Sequence, residues 1–240
     1  MKAIVLTSGG IDSTVTLYYA LKAGYRVHAL AFNYGQRHHR ELRSAGQICN
    51  ALECPLNVVD LKSLAALLGG SALTDRTIDV PEGDYRDASM RITVVPNRNA
   101  VFLSIAYAVA VAEKAEVVFV GVHAGDHPIY PDCRPDFMDT LEHAFQLGNL
   151  GMVDPPVRIS TPFIRDTKAA IVKAGAALHV PFELTWSCYK GGSTHCGRCG
   201  TCVERHEAFE LAKVADPTVY NGDALWFQGT NQPRLPGVEN

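Results

Sequence analysis

Apolar residues recur along the first 180 positions in two alternating rhythms. Residues 3–6, 27–32, 56–59 and 117–120 are short, nearly continuous runs of Val, Ile, Leu, Ala and Phe. Between them lie stretches with helical spacing. Residues 12–23 carry Val15, Leu17, Tyr18 and Leu21 before a stop at Gly24. Residues 37–52 are polar apart from Leu42, Ala45 and Ile48, and residues 99–114 are alanine-rich and apolar on most faces. Residues 135–147 and 166–178 predict two further helices. Strands that are apolar throughout are buried on both faces. The pattern therefore predicts an α/β fold, a doubly wound, mostly parallel sheet with helices on both faces.

Three stretches break that rhythm. Residues 69–96 hold glycines, prolines and many charges, and read as a long excursion, a mobile loop over the site. Residues 185–204 are dense in Cys and Gly. The tail after Asp216 carries Pro217, Pro233 and Pro236 without helical spacing.

Composition narrows the class. Hydrophobic residues make up 47% of the 240, enough for a full core. A net charge of −3 gives the whole chain no strong attraction for nucleic acid or an anionic membrane. No apolar run approaches the roughly 20 residues of a membrane helix. The opening MKAIVLTSGG is too short for a signal-peptide core and reads as a buried first strand. The expected location is cytoplasmic, where thiols stay reduced. The 7 cysteines then point to metal or chemistry rather than disulfides.

The string SGGIDST at residues 8–14 follows the first strand and opens the first helix. Glycines there let a phosphate approach the backbone, and free N–H groups at a helix start favour an anion. Ser8, Ser13 and Thr14 add hydroxyls, and Asp12 is placed to cap the helix or help hold magnesium. The Walker lysine is missing, so this is not that motif. A plain strand–turn–helix connection is the alternative.

Near the other end, Cys188 precedes Cys196, Cys199 and Cys202, which form two overlapping C-x-x-C steps. Four thiolates complete a closed tetrahedral zinc site of the structural type. Free or redox thiols and an iron–sulfur cluster are the alternatives, and His195 is a possible substitute ligand. Cys49 and Cys54 read as helix-packing residues.

Further polar groups gather at predicted strand ends, where doubly wound sheets bind ligands. They are Tyr34, Gln36, Arg37 and His38 after the second strand, Arg98 at the start of the alanine-rich helix, and His123, Asp126, His127, Tyr130, Asp132, Cys133 and Arg134 after the fourth strand. Asn97 and Asn99 are candidate N-caps. Lys168 and Arg205 are candidate phosphate partners, though such a residue alone is more often a solvated surface charge. Cys133 reads as a nucleophile or, more simply, as a small buried residue.

SGGxDS after a first strand resembles the signature of the ATP-pyrophosphatase, or PP-loop, enzymes, with their adenine nucleotide alpha hydrolase-like fold. FNYGQRHHRE at 32–41, VPNRNAVFLSIA at 95–106, GVHAGDHPIYPDCRPDF at 121–137, TWSCYKGGSTHCGRCGTCVERHEAF at 185–209 and DPTVY at 216–220 narrow the likeness. Together they resemble the 7-cyano-7-deazaguanine synthase family of queuosine biosynthesis. The resemblance covers about residues 2–220.

That resemblance implies an ATP-dependent C–N ligase acting on 7-carboxy-7-deazaguanine and ammonia, with ATP and Mg2+ as co-substrate and one structural Zn2+. It implies ATP contacts from Ser8, Gly9, Gly10, Ile11, Asp12, Ser13 and Thr14, and chemistry from Asp12, Ser13, Arg98 and Lys168. Substrate contacts fall to Gln36, Arg37, Arg98, His123, Asp126, Asp132 and Arg134. The metal ligands are Cys188, Cys196, Cys199 and Cys202. The expected organisation is a nucleotide-binding α/β domain over residues 1–180, with a zinc-binding segment over 181–240 packed on it. The partners are small molecules rather than nucleic acid or membrane, and a homodimer is expected. A PP-loop tRNA-modifying enzyme carrying sulfur on Cys133, and a non-catalytic zinc-ribbon module that has kept a nucleotide fold, are the competing readings.

Overall fold

In the computed structural model, which describes residues 1–67, 69–86 and 88–227, five parallel strands form one sheet in the order β3-β2-β1-β4-β5. They are β1 (Lys2–Leu6), β2 (Arg26–Asn33), β3 (Leu56–Asp60), β4 (Val117–Phe119) and β5 (Arg158–Ser160). The helices are α1 (Ile11–Lys22), α2 (Arg40–Ala51), α3 (Lys62–Leu67), α4 (Arg98–Ala112), α5 (Pro135–Gly148), α6 (Lys168–Ala177) and α7 (Gly200–Ala212). None of them is long and apolar enough to cross a membrane.

Strand side chains alternate between two layers. Ala3, Val5, Val27, Ala29, Val117 and Phe119 pack against Leu17 and Ala20 of α1 and Ile48 and Cys49 of α2. Ile4, Leu6, Leu30, Phe32 and Val118 pack on the opposite face against Leu103, Ala106, Tyr107 and Ala110 of α4 and Met138 of α5. Helices thus cover both faces, as the apolar strands require. Cys49 is buried in the first of these layers and Cys54 packs against it, which matches a packing role.

Register places Ala3 of β1 beside Val27 of β2 and Val117 of β4. From β1 the chain moves outward to β2 and β3, then returns to the other side of β1 for β4. The direction of winding reverses between β1 and β4, and a crevice opens there at the carboxyl ends of the strands.

Three elements, α3, β5 and α7, lie outside the sequence expectation. β5 is a three-residue edge strand, Arg-Ile-Ser, too short and polar to announce itself. α7 buries Cys202, Arg205, Ala208 and Phe209. A fully buried arginine stands in what would otherwise be an apolar stripe. With α6, α7 encloses a third core of Ile11, Val15, Ile171, Val172, Phe182 and Phe209. Residues 228–240 of the segment expected over 181–240, with Pro233 and Pro236, and Asp87 of the excursion lie outside the described residues.

The excursion is packed. Ala72, Leu73, Tyr85 and Met90 are buried, and a 3-10 helix runs over Ala88–Thr93. Arg37 donates through its guanidinium to the carbonyls of Asp75 and Ile78 at 2.9 and 2.8 Å and pins the stretch to the end of β2.

Candidate active site

The crevice beyond β1, β2 and β4 is lined first by the loop between β1 and α1. Gly9 has φ +91°, and a Cβ there would come within 2.3 Å of the Glu41 carbonyl oxygen. Only glycine lets the start of α2 close on the loop. Gly121, just past β4, is equally tight: its Cβ would stand 2.8 Å from the Asp12 carbonyl. Gly10 is the N-cap of α1, and no side chain caps that helix. The first-turn N–H groups and the positive end of the helix dipole are left for an anion in the crevice.

The Ser8 and Ser13 hydroxyls lie 3.0 Å apart, and Ser13 Oγ also accepts the Ser8 N–H at 3.1 Å. Ser8, Gly10, Ile11, Asp12 and Ser13 line the crevice. Gly9 does not; it forms the seam with α2. Thr14 turns away, donating its hydroxyl to the Gly10 carbonyl at 2.7 Å.

A buried charge cluster closes one end of the crevice. Lys168 Nζ, at the start of α6, is 2.6 Å from Asp12 Oδ2 and 3.4 Å from Glu204 Oε2. Burial alone would lower the Lys168 pKa, but Asp12, Glu204 and Asp126 outweigh it and hold the value above the usual lysine range. Burial pushes the Asp12 carboxyl up, yet Lys168 and His123 overcome it and keep the group below its ordinary value. Asp12 Oδ1 is buried and has no hydrogen-bond partner. His123 stands behind Lys168: its Nδ1 accepts the Gly125 N–H at 3.1 Å, and its Nε2 lies 3.4 Å from Asp126. Asp126 in turn accepts from the Tyr85 hydroxyl at 3.1 Å.

At the other end stands Arg98. It follows Asn97, whose φ of +53° is a left-handed conformation that asparagine tolerates better than most residues. The guanidinium sits 5.8 Å from the centre of the Tyr130 ring and 3.5 Å from the Tyr34 hydroxyl. Among the described residues it forms no ion pair. Burial raises the Tyr34 hydroxyl to about 12, so the hydroxyl stays neutral beside the cation. Phe32 and Phe102 stack at 4.1 Å and supply an apolar wall between the two ends. Glu41 and His38 also line the crevice; burial raises the Glu41 carboxyl to about 7 and lowers the His38 imidazole to about 3.

Beside the crevice, Cys188, Cys196, Cys199 and Cys202 are all buried, and their sulfurs lie within 4.8 Å of one another. A tetrahedron of zinc–sulfur bonds has edges of roughly 3.8 Å; Cys196 Sγ and Cys202 Sγ are 3.9 Å apart. Backbone N–H groups of Arg198 and Cys199 point at Cys196 Sγ at 3.4 and 3.2 Å, as outer partners of a metal-bound thiolate do. The cluster could hold a metal ion. It is the one group with that geometry among the described residues. His195 is not part of it: its Nε2 accepts the Ser187 N–H at 3.1 Å.

The segment is tied to both walls of the crevice. Trp186 donates its backbone N–H to the Gly9 carbonyl at 2.9 Å. Glu82 of the excursion bridges to Cys199 and pairs with Arg198 at 2.9 Å.

A profile of the family described as "Queuosine biosynthesis protein QueC" matches residues 2–213. The chain belongs to the QueC family. A 7-cyano-7-deazaguanine synthase of Ruegeria sp. (strain TM1040) is 52% identical over 94% of this chain and 96% of that protein. The 7-cyano-7-deazaguanine synthase 1 of Mesorhizobium japonicum is 49% identical over the same shares. Among solved structures, an NH3-dependent NAD synthetase from Campylobacter jejuni matches with a TM-score of 0.47 and 16% identity, covering 76% of this chain and 66% of that one.

In this QueC-family chain the candidate residues divide. Arg98, Asp126 and Lys168 line the crevice with the loop. Gln36, Arg37, His123, Asp132 and Arg134 lie outside its lining. Gln36 accepts the Tyr34 N–H at 2.9 Å and donates to Glu41 at 3.0 Å, and so braces the turn after β2. Asp132 accepts the Asn99 N–H at 2.9 Å and caps α4. Arg134 is exposed and donates to the His127 carbonyl at 3.0 Å. Arg205 is neither a phosphate partner nor a surface charge. It is fully buried, bound to Thr185 at 2.7 Å and Asp216 at 3.2 Å. Cys133 is buried with its sulfur accepting from Asn99 at 3.2 Å, and burial, with Asp126 and Asp132, pushes its thiol well up. Sequence reasoning singled out His38 with the string after β2 but passed over Glu204 and Glu41. Glu204 had one usable signal, its place two residues past Cys202.

Proposed function

We propose that this chain uses ATP to convert 7-carboxy-7-deazaguanine and ammonia into 7-cyano-7-deazaguanine. The names of its relatives supply the reaction class. The observation that carries the reading is Arg98, a cation without an ion-pair partner among the described residues, facing the same crevice as the uncapped start of α1. The first suits a carboxylate and the second a pyrophosphate.

On this reading the loop grips the pyrophosphate end of ATP through helix N–H groups and the Ser8 and Ser13 hydroxyls. Arg98 holds the substrate carboxylate toward the α-phosphorus. Carboxylate oxygen attacks, pyrophosphate leaves, and the acyl adenylate forms. Ammonia displaces AMP to give the primary amide. The amide oxygen then attacks the α-phosphorus of a second ATP, pyrophosphate and a proton leave, and loss of AMP with the second N–H proton leaves the nitrile. Lys168, kept cationic by Asp12 and Glu204, offsets charge growing on the departing phosphates. A magnesium ion accompanying ATP would find Asp12 Oδ1 buried and unpartnered, and would add Lewis-acid stabilisation of the leaving group. The four thiols hold a structural zinc. The raised, buried thiol of Cys133 argues against a sulfur-carrying role.

The test is mass spectrometry of a reaction containing the protein, ATP, magnesium, ammonium and 7-carboxy-7-deazaguanine. An ATP-dependent product with the mass of the nitrile is expected. ATP cleavage only on addition of tRNA, with no nitrile, would replace this reading with a tRNA-modifying one.

A further inference from the structure

Two heterocycles must share the crevice, the adenine of ATP and the base that carries the carboxylate. The wall formed by the start of α2 differs from the rest of the lining in what it presents. Glu41 enters the crevice with Oε1 accepting from Gln36 at 3.0 Å and Oε2 lying 3.4 Å from His38 Nε2. His38 is 3% exposed, and its Nδ1 is buried without a hydrogen-bond partner. Both residues line the crevice.

Resting on the function proposed above, we infer that His38 and Glu41 recognise the 2-amino and N1–H edge of the deazaguanine base. The Glu41 carboxylate faces Nε2 at 3.4 Å and favours the proton on that nitrogen. A neutral His38 protonated there carries no proton on Nδ1. The burial that lowers the imidazole to about 3 keeps it neutral at physiological pH. Gln36 cannot supply a donor to the ligand, because its amide N–H groups go to the Phe32 carbonyl and to Glu41, at 3.0 Å each. With Glu41 ionised, as it is above about pH 7, the wall offers acceptors and no donor.

A 2-aminopyrimidin-4-one ring presents two adjacent donors, N1–H and the 2-amino group. Adenine presents a donor beside a bare N1, whose lone pair would face another lone pair. The acceptor wall thus selects the deazaguanine and turns adenine away. It also fixes the pose. The carboxylate on the five-membered ring is remote from the 2-amino edge, so His38 and Glu41 hold that edge while Arg98 takes the carboxylate.

The experiment compares 7-carboxy-7-deazaguanine with the same acid lacking its 2-amino group. For the wild type, KM should be about tenfold or more higher for the des-amino acid. Glu41→Gln should raise KM for the full substrate by about tenfold, leave the des-amino acid within about twofold, and leave KM for ATP unchanged. His38→Gln keeps a donor toward Glu41 but removes the Nδ1 acceptor; it should erode the same discrimination, and it covers the case in which Glu41→Gln misfolds. Equal losses for both acids, or a loss confined to ATP, would overturn the inference. Calorimetric binding of the two acids makes the same comparison without turnover. Discrimination by the wild type that the variants lose supports the inference, and none in the wild type refutes it. A wild type that discriminates in binding but makes no nitrile would refute only the reaction.

Discussion

Lys168 Nζ stands 2.6 Å from Asp12 Oδ2 and thereby joins the start of α6 to the first turn of α1. Glu204 reaches the same ammonium from α7 at 3.4 Å. Lys168→Met would leave two buried carboxyls without their cation, and such carboxyls take up protons rather than stay charged. The expected result is a fall in kcat of about 100-fold or more, measured by nitrile formation. Stability should fall too, by roughly 3–5 kcal/mol in urea melts. Near-normal turnover would remove Lys168 from the chemistry.

Arg98 predicts a different signature. Arg98→Ala should raise KM for the carboxylic acid by about 30-fold or more while KM for ATP stays put. Arg98→Lys should recover part of the loss, since a lysine keeps the charge but not the planar pair of donors. A variant whose defect falls on ATP instead would move Arg98 to the phosphates.

Glu41 gives a stability that depends on pH. Burial raises its carboxyl from 4.5 to about 7, against the opposing pull of Gln36 and Arg98. The folded chain then holds this proton more tightly than the unfolded chain. Its contribution is full below about 4.5 and is lost as pH rises through about 7. Glu41→Gln removes the titration and keeps an oxygen for the Gln36 N–H. The ligand-free variant should melt close to the wild type at pH 5 and several degrees above it at pH 8, a gain of at most about 3 kcal/mol. Superimposable melts at both pH values would contradict the burial argument. A carboxylate kept at a cost to the empty protein is a common mark of a binding site.

Metal removal should reach the crevice through α7. Cys202 of the four-thiol cluster lies in its first turn, and Glu204 reaches Lys168 two residues on. Cys202→Ser should lose bound zinc by elemental analysis, lower Tm by on the order of 10 °C and abolish turnover. Retention of full activity in a zinc-free protein would separate the metal from the site.

The features legible in the sequence are those written locally. The loop at 8–14 and the cysteine steps at 196–202 are contiguous strings, and the strand faces follow from a period of two. Glu41 was hidden because a glutamate in a helix's first turn reads as a dipole partner on the surface. Its burial depends on Gly9 admitting α2, a contact between segments that no local pattern reports. Arg205 was hidden for the same reason, since Thr185 and Asp216 complete its environment from outside α7. Gln36, Arg37, Asp132 and Arg134 were placed in the right neighbourhood. Their side chains turn to nearby backbone groups and to Glu41, a choice that spacing alone does not encode.

The bridge between Glu82 and the cysteine segment also sets an order on folding. Glu82 pairs with Arg198, 116 positions later, and Tyr85 beside it forms part of the crevice wall. During synthesis the strands and the loop at residues 8–14 leave the ribosome well before that partner exists. A nascent chain can assemble the sheet early, but the tie between Glu82 and Arg198 forms only once the cysteine-bearing turn has been made. A chain that stops before Arg198 therefore lacks the contact that fastens the excursion to the cysteine segment.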